Sequence, residues 1–282
     1  MDKRILLLTD FSKTALNAAR YALDLYSDCD CTFHFLNTYH ADSYTIEGYS
    51  YMYSGNRAYN VERPKTEIKF RRMVEQLRLK DKNPKHTYYT IAASNTLLDG
   101  VNNVISKHDI DLVIMGAKGM TSSRTVVFGM NTIDIMENVT ACPVLAIPED
   151  VDFKSPKQIV FPTDFKIPFK RRELKYLINI AVMHNSEIRV LHVKEAAKLN
   201  TSQQENKALL QLLFKDIAHS FHTVEHPSVH EGINRFIDTQ ESDMVAFINQ
   251  KRNFFTRMLY KPLVQELGYQ SSVPVLVLKH RV

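Results

Sequence analysis

Residues 4 to 11 read Arg4-Ile5-Leu6-Leu7-Leu8-Thr9-Asp10-Phe11, and residues 158 to 165 read Gln158-Ile159-Val160-Phe161-Pro162-Thr163-Asp164-Phe165. Each is a short apolar run closed by Thr-Asp-Phe. Each leads into a stretch of helical period, Ser12 to Tyr26 in the first copy and Pro168 to Met183 in the second. Second strand-like runs follow, His34 to Thr38 and Arg189 to Val193. Further on, Asp111 to Met115 matches Asp243 to Phe247, and the copies close on Cys142 to Ile147 and Val273 to Leu278, each containing Pro-Val-Leu. Because the matches keep their order, the 282 residues read as two copies of one domain, 1–149 and 157–282, joined near Pro148 to Pro156.

Within a copy, short β-rich runs alternate with longer helical segments, the pattern of βαβ units and a parallel sheet. The first copy reads as strands at 4–8, 32–37, 86–91, 111–115 and 143–147, with helices at 12–26, 65–81, 95–107 and 130–139. In the helix at 65–81, Ile68, Met73, Val74 and Leu77 form the apolar side. In the next, a capping residue at Asn95 precedes Leu97, Leu98, Val101, Val104 and Ile105. The fold class is therefore α/β: two tandem doubly wound domains, each a five-stranded parallel sheet with helices on both faces, Rossmann-like in winding. Such sheets bind ligands beyond the carboxyl ends of their strands, which directs attention to the loops after the first and fourth strands.

Bulk composition excludes several classes. With 44% hydrophobic and 24% charged residues, the chain can bury a core and is not a low-complexity or disordered polymer. No run approaches the apolar length of a membrane span, and no signal-peptide pattern follows Met1, so a cytoplasmic protein is expected, without a membrane partner. Cys29, Cys31 and Cys142 make neither a disulfide framework nor a CxxC pair and read as structural. The net charge of +5 is compatible with a nucleotide and argues poorly for nucleic acid. His219, His222, His226 and His230 form the one dense histidine run; a helix would align several of them, but Pro227 breaks it, and packed histidines are preferred to a metal site.

Glycine is scarce: 8 residues, where average usage gives roughly 20. So few glycines allow few left-handed turns, and a cluster of them marks backbone that needs them. Gly116, Gly119 and Gly129 form that cluster, between the fourth strand and the last helix of the first copy. Glycines and a helix start together can wrap a polyphosphate with backbone N–H groups. Lys118 and Arg124 add charge there, and the Thr132 hydroxyl is placed to donate. Asp10, ending the first strand, can accept from a ribose hydroxyl or hold a metal through water. Two plainer readings stand beside these: a simple connection for the glycines, and a helix cap for Asp10. No Walker loop, no GxGxxG after the first strand and no GxSxG elbow is present.

Thr9-Asp10-Phe11-Ser12, followed by Gly116-x2-Gly119-x9-Gly129, resembles the universal stress protein family, and the repeat resembles its tandem form. The resemblance implies an adenine nucleotide alpha hydrolase-like fold that binds ATP (or AMP or ADP), with Mg2+ as a companion, and has no defined catalytic reaction. It also implies pairing, here between the two copies as a pseudo-dimer or between chains as a homodimer. By position, Asp10 contacts ribose, and Leu8, Thr9 and Thr38 line the adenine pocket. Met115, Gly116, Lys118, Gly119, Gly129, Met130, Asn131 and Thr132 surround ribose and phosphates. Met130 departs from the family's usual Ser or Thr and removes one phosphate-facing hydroxyl.

The second copy departs further. After its fourth strand it reads Ile248-Asn249-Gln250-Lys251, without the two glycines, and Tyr260-Lys261-Pro262 stands where Gly129 opens the last helix of the first copy. Phe254, Phe255 and Tyr260 can fill a former pocket. Lys251, Arg252 and Arg257 are either a solvated basic loop or a new anion site. Nucleotide is thus expected in the first copy only. A slow ATPase and a structural module that binds no nucleotide are the alternatives. The first copy also carries Tyr39, Tyr44, Tyr49, Tyr51, Tyr53 and Tyr59 between residues 39 and 64, a lid or interface in one reading and a surface loop in the other.

Overall fold

The computed structural model describes residues 2–39, 59–118, 128–194, 198–249 and 273–279. It divides into two compact units, with the boundary between Phe153 and Lys154. Unit 1 runs β1 (Lys3–Leu8), α1 (Lys13–Leu25), β2 (Cys31–Thr38), α2 (Tyr59–Arg78), β3 (Thr87–Ala93), α3 (Leu97–His108), β4 (Leu112–Gly116), α4 (Met130–Asn138) and β5 (Val144–Ile147). Its strands are parallel in the order β3-β2-β1-β4-β5. Unit 2 repeats the series as β6 (Gln158–Pro162), α5 (Arg171–His184), β7 (Glu187–Lys194), α6 (Thr201–Leu213), β8 (His219–Glu225), α7 (Val229–Thr239), β9 (Met244–Asn249) and β10 (Val275–Lys279). Its parallel order, β10-β9-β6-β7-β8, is the same winding.

Right-handed crossovers put α1 and α2 on one face of the unit 1 sheet and α3 and α4 on the other. Covered on both sides, β4 is buried along its whole length, and β1 from Ile5 onward. Such strands read as continuous apolar runs rather than alternating ones. The start of β1 is fixed by a carboxylate: Asp111 accepts from the Arg4 N–H at 3.0 Å. Asp243 does the same for Lys157 and Gln158, at 2.8 and 3.0 Å. These aspartates open the matched fourth strands of the two copies, so the repeat preserves a structural clip as well as a hydrophobic pattern. After β5 the chain turns back over α1, where the Asn17 amide donates to the carbonyls of Pro148, Glu149 and Val151 (3.3, 3.3 and 2.9 Å). The Phe153 ring meets Tyr21 edge-on at 5.2 Å.

Several local expectations are revised. α2 begins at Tyr59 and runs through Pro64, which forfeits one intrahelical bond without ending the helix. Phe70, Met73 and Leu77 are buried below it, while Ile68 is 49% exposed and faces out. The cap of α3 is Thr96, whose hydroxyl accepts from the Asp99 N–H, and not Asn95. α5 starts at Arg171, later than Pro168. The histidine run is split between elements: His219 and His222 lie on β8, His226 in a loop and His230 on α7. Among the described residues no group of three or more His, Cys, Asp or Glu is arranged to hold a metal, and no helix is long and apolar enough to cross a membrane.

Scarce glycine does not mean few left-handed residues. Phe11, Asp109, Phe165, Asn185 and Glu241 all adopt positive φ, between 46° and 63°. Each costs on the order of 1–2 kcal/mol for a residue with a Cβ. At Phe11 the cost is offset locally, because the Thr9 hydroxyl accepts from the Phe11 N–H at 2.9 Å and the ring packs edge-on to Phe70 at 5.1 Å.

Candidate functional site

β1 lies between β2 and β4 in unit 1, so the chain's winding reverses beside it, and the crevice opens where β1, β2 and β4 end. Register aligns these ends: Leu8 pairs with Leu36 and Leu7 with Ile114, which sets Thr9 near the level of Met115 and Gly116. Thr9 continues β1 through its N–H to the Leu36 carbonyl at 2.9 Å. Its own carbonyl accepts from the Asn37 amide at 2.7 Å. Asp10 then turns the chain. Its Oδ1 accepts from the Ser12 N–H at 3.0 Å, while Ser12, and not Asp10, caps α1 by accepting from the Ala15 N–H at 3.1 Å. Leu8 and Thr9 are buried; Asp10 and Thr38 are half-buried at the rim.

The fourth strand delivers Met115, buried, and Gly116. A Cβ on Gly116 would stand 2.7 Å from the Thr14 Cγ2 and 3.2 Å from the Thr14 backbone carbon, so the glycine is required by the first turn of α1. Phe128 and Gly129, both buried, precede α4. The Gly129 N–H donates to the Ala117 carbonyl at 2.8 Å, and its φ of −66° is an ordinary value, so its smallness does not serve a left-handed turn. Gly129 brings no side chain to cap α4. Thr132 is buried at 2% exposure, and its hydroxyl donates to the Gly116 carbonyl at 3.1 Å. That bond ties the start of α4 to the end of β4. Met130, 87% exposed, and Asn131, also exposed, open α4 at the surface. Lys118 is half-exposed; Gly119 and Arg124 lie outside the described residues.

Leu8, Thr9, Asp10, Thr38, Met115, Gly116, Gly129, Met130, Asn131 and Thr132 therefore gather at one edge of one sheet. Three further residues adjoin the site without having been assigned to it from the sequence. α2 supplies Met73, whose sulfur lies 3.7 Å from the Thr9 hydroxyl, and Lys69, whose ammonium stands 5.4 Å over the Phe11 ring. α3 supplies Gly100, where a Cβ would come within 2.8 Å of the Thr38 Cγ2. A glycine inside a helix is the signal that marks such a close approach.

Unit 2 builds the same turn with different surroundings. The Thr163 hydroxyl accepts from the Phe165 N–H, and Asp164 from the Lys166 N–H, both at 3.0 Å. The Thr163 N–H bonds to the Leu191 carbonyl at 2.9 Å. His192 Nδ1–H takes the role of Asn37, donating to the Thr163 carbonyl at 2.9 Å. Here, though, α6 reaches in with two amides: Gln203 donates to the Asp164 carbonyl at 2.7 Å and the buried Asn206 to the Phe165 carbonyl at 2.8 Å. Ile248, at the place of Gly116, is buried. Gln250, Lys251, Arg252, Phe254, Phe255, Arg257, Tyr260, Lys261 and Pro262 lie outside the described residues, as do Tyr44, Tyr49, Tyr51 and Tyr53.

The family model of the universal stress proteins matches residues 1–148 and, a second time, residues 156–279. The chain belongs to the universal stress protein family. It is a tandem universal stress protein, α/β in each unit. No curated protein sequence matches it. Among solved structures it is similar to a universal stress protein from Archaeoglobus fulgidus, with 15% identity, 98% of each chain covered and a TM-score of 0.62. It is also similar to a functionally unknown protein from Pseudomonas aeruginosa, with 14% identity, 98% of this chain and 92% of that one covered, and a TM-score of 0.57. The cytoplasmic domain of a prokaryotic cation chloride cotransporter has 8% identity, coverage of 99% and 95%, and a TM-score of 0.54. At these identities the likeness is one of fold, and function has to be argued from the site.

Proposed function

We propose that unit 1 binds an adenine nucleotide, ATP or its lower phosphates with Mg2+, and that unit 2 does not. The observation that carries this is the convergence of Asp10, Thr38 and Gly116 at the switch point, with the opening turn of α4 beside them. The half-buried Asp10 carboxylate is the acceptor for a ribose hydroxyl. Leu8, Thr9 and Thr38 give the base an apolar floor with a polar rim, and Met73 adjoins it. The N–H groups of Met130 and Asn131 stand in the first turn of α4, where a helix offers no carbonyl of its own, and they suit a phosphate, as do Lys118 and Gly119 of the loop. Thr132 acts at one remove by holding the Gly116 carbonyl. Mg2+ would add charge neutralisation on the phosphates. In unit 2 the amides of Gln203 and Asn206 occupy the turn and Ile248 replaces the glycine, which supports a site without nucleotide.

The role is one of binding, with no catalytic step assigned to any residue; ATP turnover by the protein is expected to be no faster than by Asp10→Ala. Calorimetric titration with ATP and Mg2+ is expected to give one site per chain, weakened at least tenfold in Asp10→Ala. Met130→Thr, which restores a hydroxyl donor, is expected to tighten binding by roughly fivefold, the equivalent of about 1 kcal/mol. Two sites per chain, or no binding at millimolar nucleotide, would overturn the reading.

A further inference from the structure

We propose that His34, packed against the rings of His108 and Tyr89 at the seam between β2, β3 and α3 of unit 1, forms an acid-sensitive latch whose protonation opens the edge of the sheet. His34 sits in the middle of β2 with only 5% of its surface exposed. Its ring lies 4.6 Å from that of His108, the last residue of α3, and 5.3 Å from that of Tyr89, nearly parallel at 17°, on the edge strand β3. Three rings thus meet at the seam, His34 stacked on Tyr89 and tilted at 38° to His108. The Nδ1 atom of His34 is buried and has no hydrogen-bond partner among the described residues. A neutral ring tolerates that placement, whereas an imidazolium would bury an N–H donor without an acceptor.

The groups facing His34 favour the neutral ring. Burial pulls its pKa from 6.5 down to about 4, and His108 and the Arg4 guanidinium act in the same direction. Asp2 opposes them, but its carboxylate accepts from the Thr32 hydroxyl at 2.8 Å. Asp109, at the end of α3, is engaged by Arg4 at 3.2 Å. With the folded value below the unfolded one, the stabilisation is complete above about pH 6.5 and is lost as pH falls toward 4. Lowering the pH from 7.5 to 5 is then expected to raise the open fraction of the seam by roughly ten- to thirty-fold.

The equivalent seam of unit 2 is built otherwise. Register places Arg189 opposite Ser220, as His34 stands opposite Tyr89. Arg189 is permanently charged and is held by Glu187 at 3.0 Å and by Gln240 at 2.9 Å. On β8, His222 has a partner, the Ser220 hydroxyl at 2.8 Å. Among the described residues, a buried imidazole nitrogen without a partner is therefore a feature of unit 1. Its opening has a path to the rim of the crevice, because β2 carries both His34 and Thr38, and α3 carries both His108 and the Gly100 that packs on Thr38.

The test is hydrogen exchange followed by mass spectrometry on the full chain at pH 7.5 and 5.0, corrected for intrinsic exchange. Protection of the segments 31–38, 87–93 and 97–108 is expected to fall about tenfold or more on acidification, and His34→Phe is expected to remove the fall. A fall that persists in His34→Phe would overturn the latch. So that the test survives a variant that does not fold, the His34 ring is also titrated by NMR in the wild-type protein. Titration below pH 5 is expected, and a midpoint above 6 would overturn the proposal. Neither readout involves a nucleotide, so the outcome is independent of the function proposed for the crevice.

Discussion

The turns at Thr9-Asp10-Phe11 and Thr163-Asp164-Phe165 are nearly superfluous to distinguish by their own hydrogen bonds. Both place a phenylalanine at positive φ, both have the threonine hydroxyl accept from it, and both have the aspartate accept two residues on. Their neighbours differ. In unit 1, α1 begins at Lys13, three residues after Asp10, and its Thr14 leaves space only for a glycine at the end of β4. In unit 2, α5 begins at Arg171, seven residues after Asp164, and a buried isoleucine ends β9's apolar run. The shared turn therefore belongs to the fold. What distinguishes the two crevices comes from the helices that follow, which in unit 1 set Met73 and Lys69 against the turn and in unit 2 bring Gln203 and Asn206 onto the turn's carbonyls.

The largest expected effect tests the demand for glycine. Gly116→Val must displace the first turn of α1, and a loss of about 3 kcal/mol or more is expected by denaturant unfolding. It follows that Gly116→Val confounds folding with binding, which makes Asp10→Ala the better probe of the ligand. An unaltered unfolding midpoint for Gly116→Val would show that the two crevices differ less than the contacts with Thr14 require. A smaller effect separates a second matched pair. Gly100 and Gly232 each lie in the first turns of a helix against a strand; a Cβ on Gly232 would meet Val193 at 2.7 Å and the His226 Cβ at 3.1 Å, whereas on Gly100 it would meet the Thr38 Cγ2 at 2.8 Å and the Leu36 Cδ2 at 3.7 Å. Gly232→Ala is expected to destabilise by about 1–2 kcal/mol, because a β-branched side chain and a Cβ both have to shift. Gly100→Ala is expected to cost less than Gly232→Ala, since a single atom, the Thr38 Cγ2, is close and alanine favours the helix. Equal losses would remove that asymmetry.

The smallest effect concerns helix starts. Ser12 caps α1 with its hydroxyl, while Lys170 precedes α5 with a side chain that has no acceptor atom, and the Glu173 carboxylate accepts from the Lys170 N–H at 3.1 Å. Ser12→Ala is expected to cost about 1 kcal/mol and Lys170→Ser to add about 0.5 kcal/mol, both read as shifts in thermal midpoint. Opposite signs sharpen the contrast between the units, and like signs would erase it.

The repeat, the alternation of strands and helices and the loops that flank the crevice were legible in the sequence because they rest on local pattern: apolar runs of fixed spacing, and polar residues at strand ends. The close packing of Gly116 on Thr14 was not, since it joins residues about a hundred positions apart and only three-dimensional contact reveals it. The same holds for Met73 and Lys69, which look like ordinary positions of an outer helix until α2 is docked against the turn. Left-handed Phe11 and Phe165 could not be inferred from composition, because a hydroxyl two residues earlier and ring packing supply what glycine would otherwise provide. The capping pattern Thr96-x-x-Asp99-Gly100, matched by Ser228-x-x-Glu231-Gly232, was present in the sequence as a further element of the repeat and is legible once the caps are seen.

The amide of Asn17, shared among three carbonyls of residues 148 to 151, has a practical consequence for anyone dividing the chain. A polypeptide ended at residue 149 would leave Asn17 without its shortest bond, to Val151, and would strip Phe153 from the otherwise buried Tyr21. The stop codon for an isolated first unit belongs after Phe153, several residues beyond the last strand of the repeat.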